Sequence, residues 1–149
     1  MVKIAAGYGI IMGFVMIVAQ IISSVTGLSM LLILSYIGGI FFSTIAYREK
    51  YLNGTISYGK SLLFGILISG FTFIIIGVYL YIWISFNPVE FSKAFNTIME
   101  GMKTNGYAVS DISEKMIFNP VFLLMSYLFT GLLAGLSVSA ITSLFTRKK

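Results

Sequence analysis

The side chains best suited to chemistry in this sequence of 149 residues are cationic, and they lie beside long stretches that carry no charge. The pattern predicts a basic rim on one side of the molecule, made of Arg48, Lys50, Lys60, Arg147, Lys148 and Lys149. Guanidinium and ammonium groups bind phosphate oxygens, so this rim is suited to a phosphate or pyrophosphate headgroup such as that of a polyprenyl phosphate. The commoner role of such a rim is to attract anionic lipid, at about 1 kcal/mol per charge.

Three polar side chains fall within otherwise apolar segments: Gln20, Tyr36 and Tyr127. With four spans and both termini on one side, Gln20 and Tyr127 both lie toward the outer side, where they would form a small polar pocket for a ligand headgroup. The alternative is hydrogen bonding between helices, worth about 0.6 kcal/mol for each bond. The sequence leaves both interpretations open.

The residue types needed for catalysis or metal binding are scarce. The chain has no His, no Cys and only five Asp and Glu residues, so zinc, copper and thiolate sites lack ligands. Proton-coupled multidrug transporters, intramembrane proteases and haem-binding bundles all need carboxylates, histidines or metal ligands inside the membrane. Hydroxyl groups are plentiful, but no base stands ready to activate them. We therefore expect no enzymatic activity, no cofactor and no metal.

The elements that position these side chains are membrane-spanning helices. Charged residues are absent from 4–47, 61–89 and 116–146, and a charge near the bilayer centre costs about 2.5–3.5 kcal/mol on insertion scales. Hydrophobic residues make up 58% of the chain, charged residues make up 10%, and the mean hydropathy is +0.97. The net charge is +5, but the cationic residues lie beside apolar spans, so their positions matter more than their sum. No nucleic-acid partner is expected.

Span boundaries follow from length and turn residues. A bilayer core of about 30 Å needs about 20 helical residues. The first charge-free stretch must therefore fold back, and 23–27 holds its only cluster of turn formers. We predict an all-α fold, an integral membrane four-helix bundle forming a single transmembrane domain over residues 1–149, with spans at about 4–24, 28–47, 58–86 and 120–146.

Lysine and arginine positions orient this bundle. Seven of these residues fall on the side of the two termini, and three fall on the other side, Lys93, Lys103 and Lys115. The seven-residue side is predicted to be cytoplasmic, which makes the bundle N-in/C-in. Aromatic rings are predicted at headgroup level on both sides: Tyr47, Tyr51 and Tyr58 inside, and Tyr79, Tyr81 and Trp83 outside.

The outer loop between helices 3 and 4, residues 87–119, is predicted to contain a short amphipathic helix. Asn87 and Glu90 have the spacing of a helix N-terminal cap. Apolar residues then recur at helical spacing after that cap. The amphipathic helix either lies on the membrane surface or covers the loop side of its own bundle.

Small residues recur every four positions along the predicted spans. Because lipid provides no hydrophobic force between helices, small residues stabilise a membrane bundle by letting backbones approach closely. Helix packing is predicted at Gly9, Gly13, Gly39, Gly65, Gly131 and Gly135, with Ser69, Ser139 and Ser143 on the same faces. The alternative is that one of these faces contacts a partner or a second copy of the chain.

Several short motifs occur in a characteristic order: Tyr8-Gly9 near the start, Tyr58-Gly59-Lys60 before helix 3, and Asn119-Pro120 before helix 4. Over nearly the whole chain this order resembles the small four-span bacterial membrane proteins grouped as domain of unknown function 4199, found mainly in Bacteroidota. Family members usually have Phe-Gly-Gln where this chain has Tyr58-Gly59-Lys60, so this chain carries an added positive charge there. The resemblance implies a four-span fold and an accessory role beside lipid-linked sugar chemistry.

The expected function is that of a non-enzymatic multi-pass protein of the bacterial cytoplasmic (inner) membrane, acting as an accessory or assembly subunit of a larger envelope complex. Expected partners are membrane lipids together with a membrane-protein partner or a second copy of the chain. The alternative is a lipid-handling or flippase-like small transporter for an anionic lipid of the polyprenyl-phosphate type. Its candidate headgroup ligands are Arg48, Lys50, Lys60, Arg147 and Lys148.

Overall fold

The computed structural model describes residues 1–28, 30–105 and 120–146, and the regular elements within these ranges are helices. They are α1 (Val2–Thr26), α2 (Met30–Tyr51), α3 (Tyr58–Phe86), α4 (Pro88–Thr104) and α5 (Pro120–Thr146). Four of them, α1, α2, α3 and most of α5, are long and apolar enough to cross a membrane. The predicted all-α fold with four membrane-spanning helices is therefore confirmed, whereas the orientation of the termini stays a prediction.

Helix α3 is the one around which the others pack. It makes its most extensive contacts with α5 and α1, while α2 packs against α1 and α5. The order around the bundle is therefore α1, α2, α5, α3. Helix α3 runs parallel to α1, because Tyr8 packs on Phe64 near the start of both helices. It runs antiparallel to α5, because Ser61 near its start lies beside Thr146 at the end of α5.

Helix α1 ends two residues later than predicted. The hydroxyls of Ser24 and Thr26 donate to carbonyl oxygens of the preceding turn at 2.7 and 2.8 Å, so these residues continue the helix. Gly27 then ends it with a φ of 74°, and its N–H donates to the Ser23 carbonyl at 2.8 Å. The turn thus falls in the predicted segment, but a left-handed glycine makes it rather than the serines.

Helix α2 continues to Tyr51, one turn beyond the predicted end at Tyr47. Tyr47 is buried, and its ring stacks on Phe64 with the ring centroids 4.0 Å apart. The ring of Tyr47 therefore packs inside the bundle, while its predicted depth at headgroup level stays a prediction. The helix is followed by Asn53 and Gly54 at φ values of 51° and 80°, in the left-handed region that glycine and asparagine tolerate best.

Helix α4 follows α3 almost directly. The Asn87 side-chain amide donates to the Trp83 carbonyl at 3.0 Å, beside the Asn87 backbone N–H at 2.9 Å. The Asn87 amide therefore caps the end of α3, while the Asn87 carbonyl accepts the Phe91 N–H at 3.1 Å at the start of α4, the position predicted for the cap of that helix. On α4, Phe95 and Met99 are buried and Glu90 is exposed, so part of the apolar face of this helix is covered by protein.

Candidate functional site

Gly9 and Gly13 lie in the contact between α1 and α3. A Cβ atom built on Gly9 would lie 2.9 Å from the carbonyl oxygen of Ile68, and one built on Gly13 would lie 2.7 Å from the Cβ of Ile75. The Thr72 hydroxyl donates to the Gly9 carbonyl at 3.2 Å across the same contact. The space beside both glycines is thus filled by α3, so a larger residue at either position forces the two helices apart.

The contact between α3 and α5 has glycines from both helices, each facing a side chain of the other helix. The three pairs are Gly65 against Ser139, Gly135 against Ser69, and Gly131 against Phe73. A Cβ atom at any of these glycines would overlap the facing side chain. The close approach of α3 and α5 therefore depends on these glycines, as expected for helices packed in lipid.

Gly39 lies in the contact between α1 and α2. A Cβ atom there would lie 2.9 Å from both Cε and Sδ of Met12, which are at the flexible end of that side chain. Because the end of a methionine can shift, Gly39 constrains the packing less than Gly9 does. All six glycines that the sequence predicts as packing positions thus face another helix of the same chain.

Hydroxyl groups line the interior of the bundle together with these glycines. The most deeply buried hydroxyl residues of the described chain are Thr44, Ser61, Ser69, Thr72, Ser139, Ser143 and Thr146. The hydroxyls of Ser61 and Thr146 lie 2.7 Å apart and join α3 to α5. The Ser69 hydroxyl donates to the Gly65 carbonyl at 2.9 Å within α3. Such bonds satisfy polar groups that would otherwise be buried without a partner.

Sequence reasoning did not single out four of these seven residues, Thr44, Ser61, Thr72 and Thr146. It selected Ser69 and Ser143 as small residues in a four-residue repeat. Thr72 and Thr146 each follow one of those serines by three residues, a spacing that returns to the same face of a helix. A search for hydroxyl residues at both helical spacings would therefore have found Thr72 and Thr146.

The three polar side chains predicted within the spans occupy separate environments. Tyr36 is buried, with its ring edge-to-face on Phe73 and the centroids 5.7 Å apart. Gln20 is exposed on α1, and Tyr127 is 38% exposed on α5. Helices α1 and α5 do not touch within the described ranges. The predicted pocket shared by Gln20 and Tyr127 is therefore not formed, because the helix order places α2 and α3 between them.

Arg48 is largely enclosed by the bundle. Its Nη1 donates to the Thr146 carbonyl at 2.8 Å, and its Nε and Nη2 donate to Oε1 of Glu49 at 2.9 and 2.7 Å. Its side chain is only 14% exposed. Thr146 is the last residue of α5, where the helix dipole places partial negative charge, so a guanidinium group is stabilising there. Arg48 thus ties the end of α5 to α2.

The other predicted headgroup ligands differ from Arg48. Lys50 and Lys60 are exposed on either side of the connection between α2 and α3. Arg147 and Lys148 lie outside the described residues. The structure therefore brings Arg48, Lys50 and Lys60 to one end of the bundle, but the Arg48 guanidinium is already bound to protein oxygens.

Metal ligands are not clustered in the parts of the chain that the structure describes. No group of three or more His, Cys, Asp or Glu side chains is placed there to hold an ion. The only polar groups that converge inside the described bundle are the hydroxyls, with Arg48 at its edge.

Similarity to known proteins identifies the family to which this chain belongs. No curated protein and no solved structure matches the chain. The family model described as Protein of unknown function (DUF4199) matches residues 7–148, a range that reaches all four membrane-spanning helices. This match agrees with the resemblance drawn from the order of the sequence motifs. The chain, a multi-pass membrane protein with four spans, therefore belongs to the DUF4199 family.

Proposed function

We propose that this protein is a non-catalytic subunit that associates with another integral membrane protein in the bacterial inner membrane, with both of its termini in the cytoplasm. The observation that carries the proposal is the position of Gln20. Its side chain is exposed on α1, among outward-facing apolar residues such as Val18 and Ile21. A polar amide on this face points away from the bundle to which it belongs.

The depth of Gln20 in the bilayer makes a partner favourable. Lys3 marks the inner end of α1, and Gln20 lies about 25 Å further along the helix axis at ~1.5 Å per residue. In a hydrocarbon core of about 30 Å, the amide lies roughly 5 Å inside the outer boundary. An amide in hydrocarbon without a hydrogen bond is unfavourable, and a hydrogen bond between membrane helices contributes about 0.6 kcal/mol. A polar group on a neighbouring membrane helix would remove that penalty, which is how glutamine joins membrane helices.

The packing inside the bundle supports the same proposal. The six predicted packing glycines all face helices of their own chain. They are therefore occupied in building the bundle, and the outward face of α1 is a separate surface. No described group of this chain makes a hydrogen bond to the Gln20 amide.

The experiment uses the absence of cysteine from the chain. A single cysteine at Ile21, next to Gln20, carries a photoactivatable crosslinker in native membranes. The matched control is a cysteine at Met125, an exposed residue near the same end of α5. We expect Ile21→Cys, but not Met125→Cys, to capture one partner protein, and Gln20→Leu to reduce the capture several-fold.

Two results would contradict the proposal. The first is recovery of the chain alone from both crosslinking positions. The second is a single product at twice the mass of the chain, because it would make the partner a second copy of this protein.

A lipid-handling role is the second candidate, and the exposed lysines favour it. Lys50 and Lys60 lie at the same end of the bundle as Lys3, where they would attract anionic headgroups in the cytoplasmic leaflet. This role needs the lysines and does not need the Arg48 guanidinium.

A further inference from the structure

A groove lies between α3, α4 and α5 at the end of the bundle opposite the exposed lysines. Its volume is about 130 Å³, and its lining is formed mainly by apolar and aromatic residues, including Gly77, Leu80, Trp83, Phe91, Leu124 and Tyr127. Phe91 belongs to α4, and the other five belong to the membrane-spanning helices α3 and α5. The groove is thus built at the level of the bilayer.

A second groove lies beside the first, nearer the middle of α3. It shares Tyr127 with the first groove and adds Phe73, Ser126 and Thr130, with a volume of about 250 Å³. Phe73 and Trp83 are ten residues apart on α3, which corresponds to about 15 Å along the helix axis. The linings of the two grooves together extend over about this length of α3, which suits an extended chain better than a compact molecule.

The surroundings of this groove identify its occupant. Tyr81 and Tyr127, which both line it, are 49% and 38% exposed, so the groove opens at the surface of the bundle. That surface lies within membrane-spanning segments, where the medium is lipid hydrocarbon. Water is disfavoured at the apolar lining, and an empty groove forfeits contacts that a chain would make. We propose that the groove holds one hydrocarbon chain of a bilayer lipid from the outer leaflet.

Helix α4 then has a defined part in lipid binding. Its residue Phe91 completes the wall of the groove, so the bound chain lies against both α4 and α3. This site is separate from the outward face of α1 on which Gln20 lies. The inference therefore goes beyond the proposed subunit role, and either one can fail while the other stands.

The test uses a phosphatidylethanolamine with a photoactivatable group in one acyl chain, mixed into vesicles that contain the full chain. After illumination, mass spectrometry locates the modified residues. We expect the modification to concentrate on Leu80–Ile84 of α3 and Leu124–Tyr127 of α5. An even spread over the exposed faces of α1, α2 and α5 would overturn the inference, because it would indicate only the surrounding lipid. An absence of modification at the groove would also overturn the inference, because it would indicate that a protein segment occupies the groove.

A pair of variants sharpens this test. Leu124→Trp should fill the groove and reduce modification there several-fold. Leu133→Trp, which adds the same bulk at an exposed position of α5 outside the groove, should leave the modification unchanged. Equal modification in the two variants would contradict the inference. If Leu124→Trp does not fold, the distribution of modified residues in the unaltered chain still decides the question.

Discussion

Gly9→Ala is expected to lower the free energy of unfolding by about 1–3 kcal/mol, the range for overpacking a close contact. The new methyl group would lie 2.5 Å from the Cβ of Phe71 and 2.9 Å from the carbonyl oxygen of Ile68. A backbone carbonyl cannot rotate away as a side chain can, so α1 must move from α3. That movement would also lengthen the hydrogen bond from Thr72 to the Gly9 carbonyl, now 3.2 Å. Unfolding of the detergent-solubilised protein by a denaturing detergent measures the effect.

Gly7→Ala is the matched control for this prediction. Gly7 lies in the same helix, two residues earlier, and a Cβ atom there meets nothing within 4 Å. The alanine should be neutral or slightly stabilising, because alanine favours a helix over glycine by up to about 1 kcal/mol. Equal stability of Gly9→Ala and Gly7→Ala would show that α1 does not pack on α3 through Gly9.

Arg48→Met is expected to destabilise the bundle by about 1.5–3 kcal/mol, the typical contribution of a hydrogen bond to a charged group. The variant removes the donor at 2.8 Å from the Thr146 carbonyl and leaves Glu49 without its ion pair. Arg48→Lys should recover only part of the loss, because an ammonium group lacks the forked geometry that reaches both acceptors. Thermal unfolding of the solubilised protein, monitored by size-exclusion chromatography, measures the difference in stability between these variants and the unaltered chain.

The double variant Lys50→Gln/Lys60→Gln is the counterpart of Arg48→Met. Both lysines are exposed, so their loss should leave thermal stability unchanged. It should weaken binding of the protein to an anionic lipid in mixed micelles, whereas Arg48→Met should not. Undiminished lipid binding in the double variant would remove the lipid-handling role. A stable Arg48→Met protein with reduced lipid binding would show that Arg48 is a headgroup ligand after all.

The four spans were predictable from the sequence because their signal is local. A stretch such as 61–89 has no charged residue, is unfavourable when exposed to water and is long enough to cross a bilayer. The glycines at packing positions were predictable for a similar reason, since a four-residue repeat places them on one face. The exact helix ends were less predictable. Serine and threonine occur in turns but also in helices when their hydroxyls bond to the backbone, as Ser24 and Thr26 do here.

The arrangement of helices around the bundle was not predictable from one sequence. Whether Gln20 and Tyr127 meet depends on which helices are neighbours, and no local pattern fixes that order. The role of Arg48 was hidden for the same reason. An arginine at the end of a span serves equally well at a membrane surface or at the end of a distant helix, and only the packing of α2 beside α5 brings it to Thr146.

The four-span topology is tested most directly by placing single cysteines in this cysteine-free chain and finding the side of the membrane from which each one is labelled. Val2, Ser57 and Asn96 are exposed, and replacing them changes no charge. With a membrane-impermeant maleimide, Asn96→Cys should be labelled in intact cells, and Val2→Cys and Ser57→Cys only after the membrane is opened. A reporter fused after Lys149 should be active in the cytoplasm. Labelling of Ser57→Cys and Asn96→Cys from the same side, or Val2 and Lys149 on opposite sides, would contradict a bundle that crosses the membrane four times.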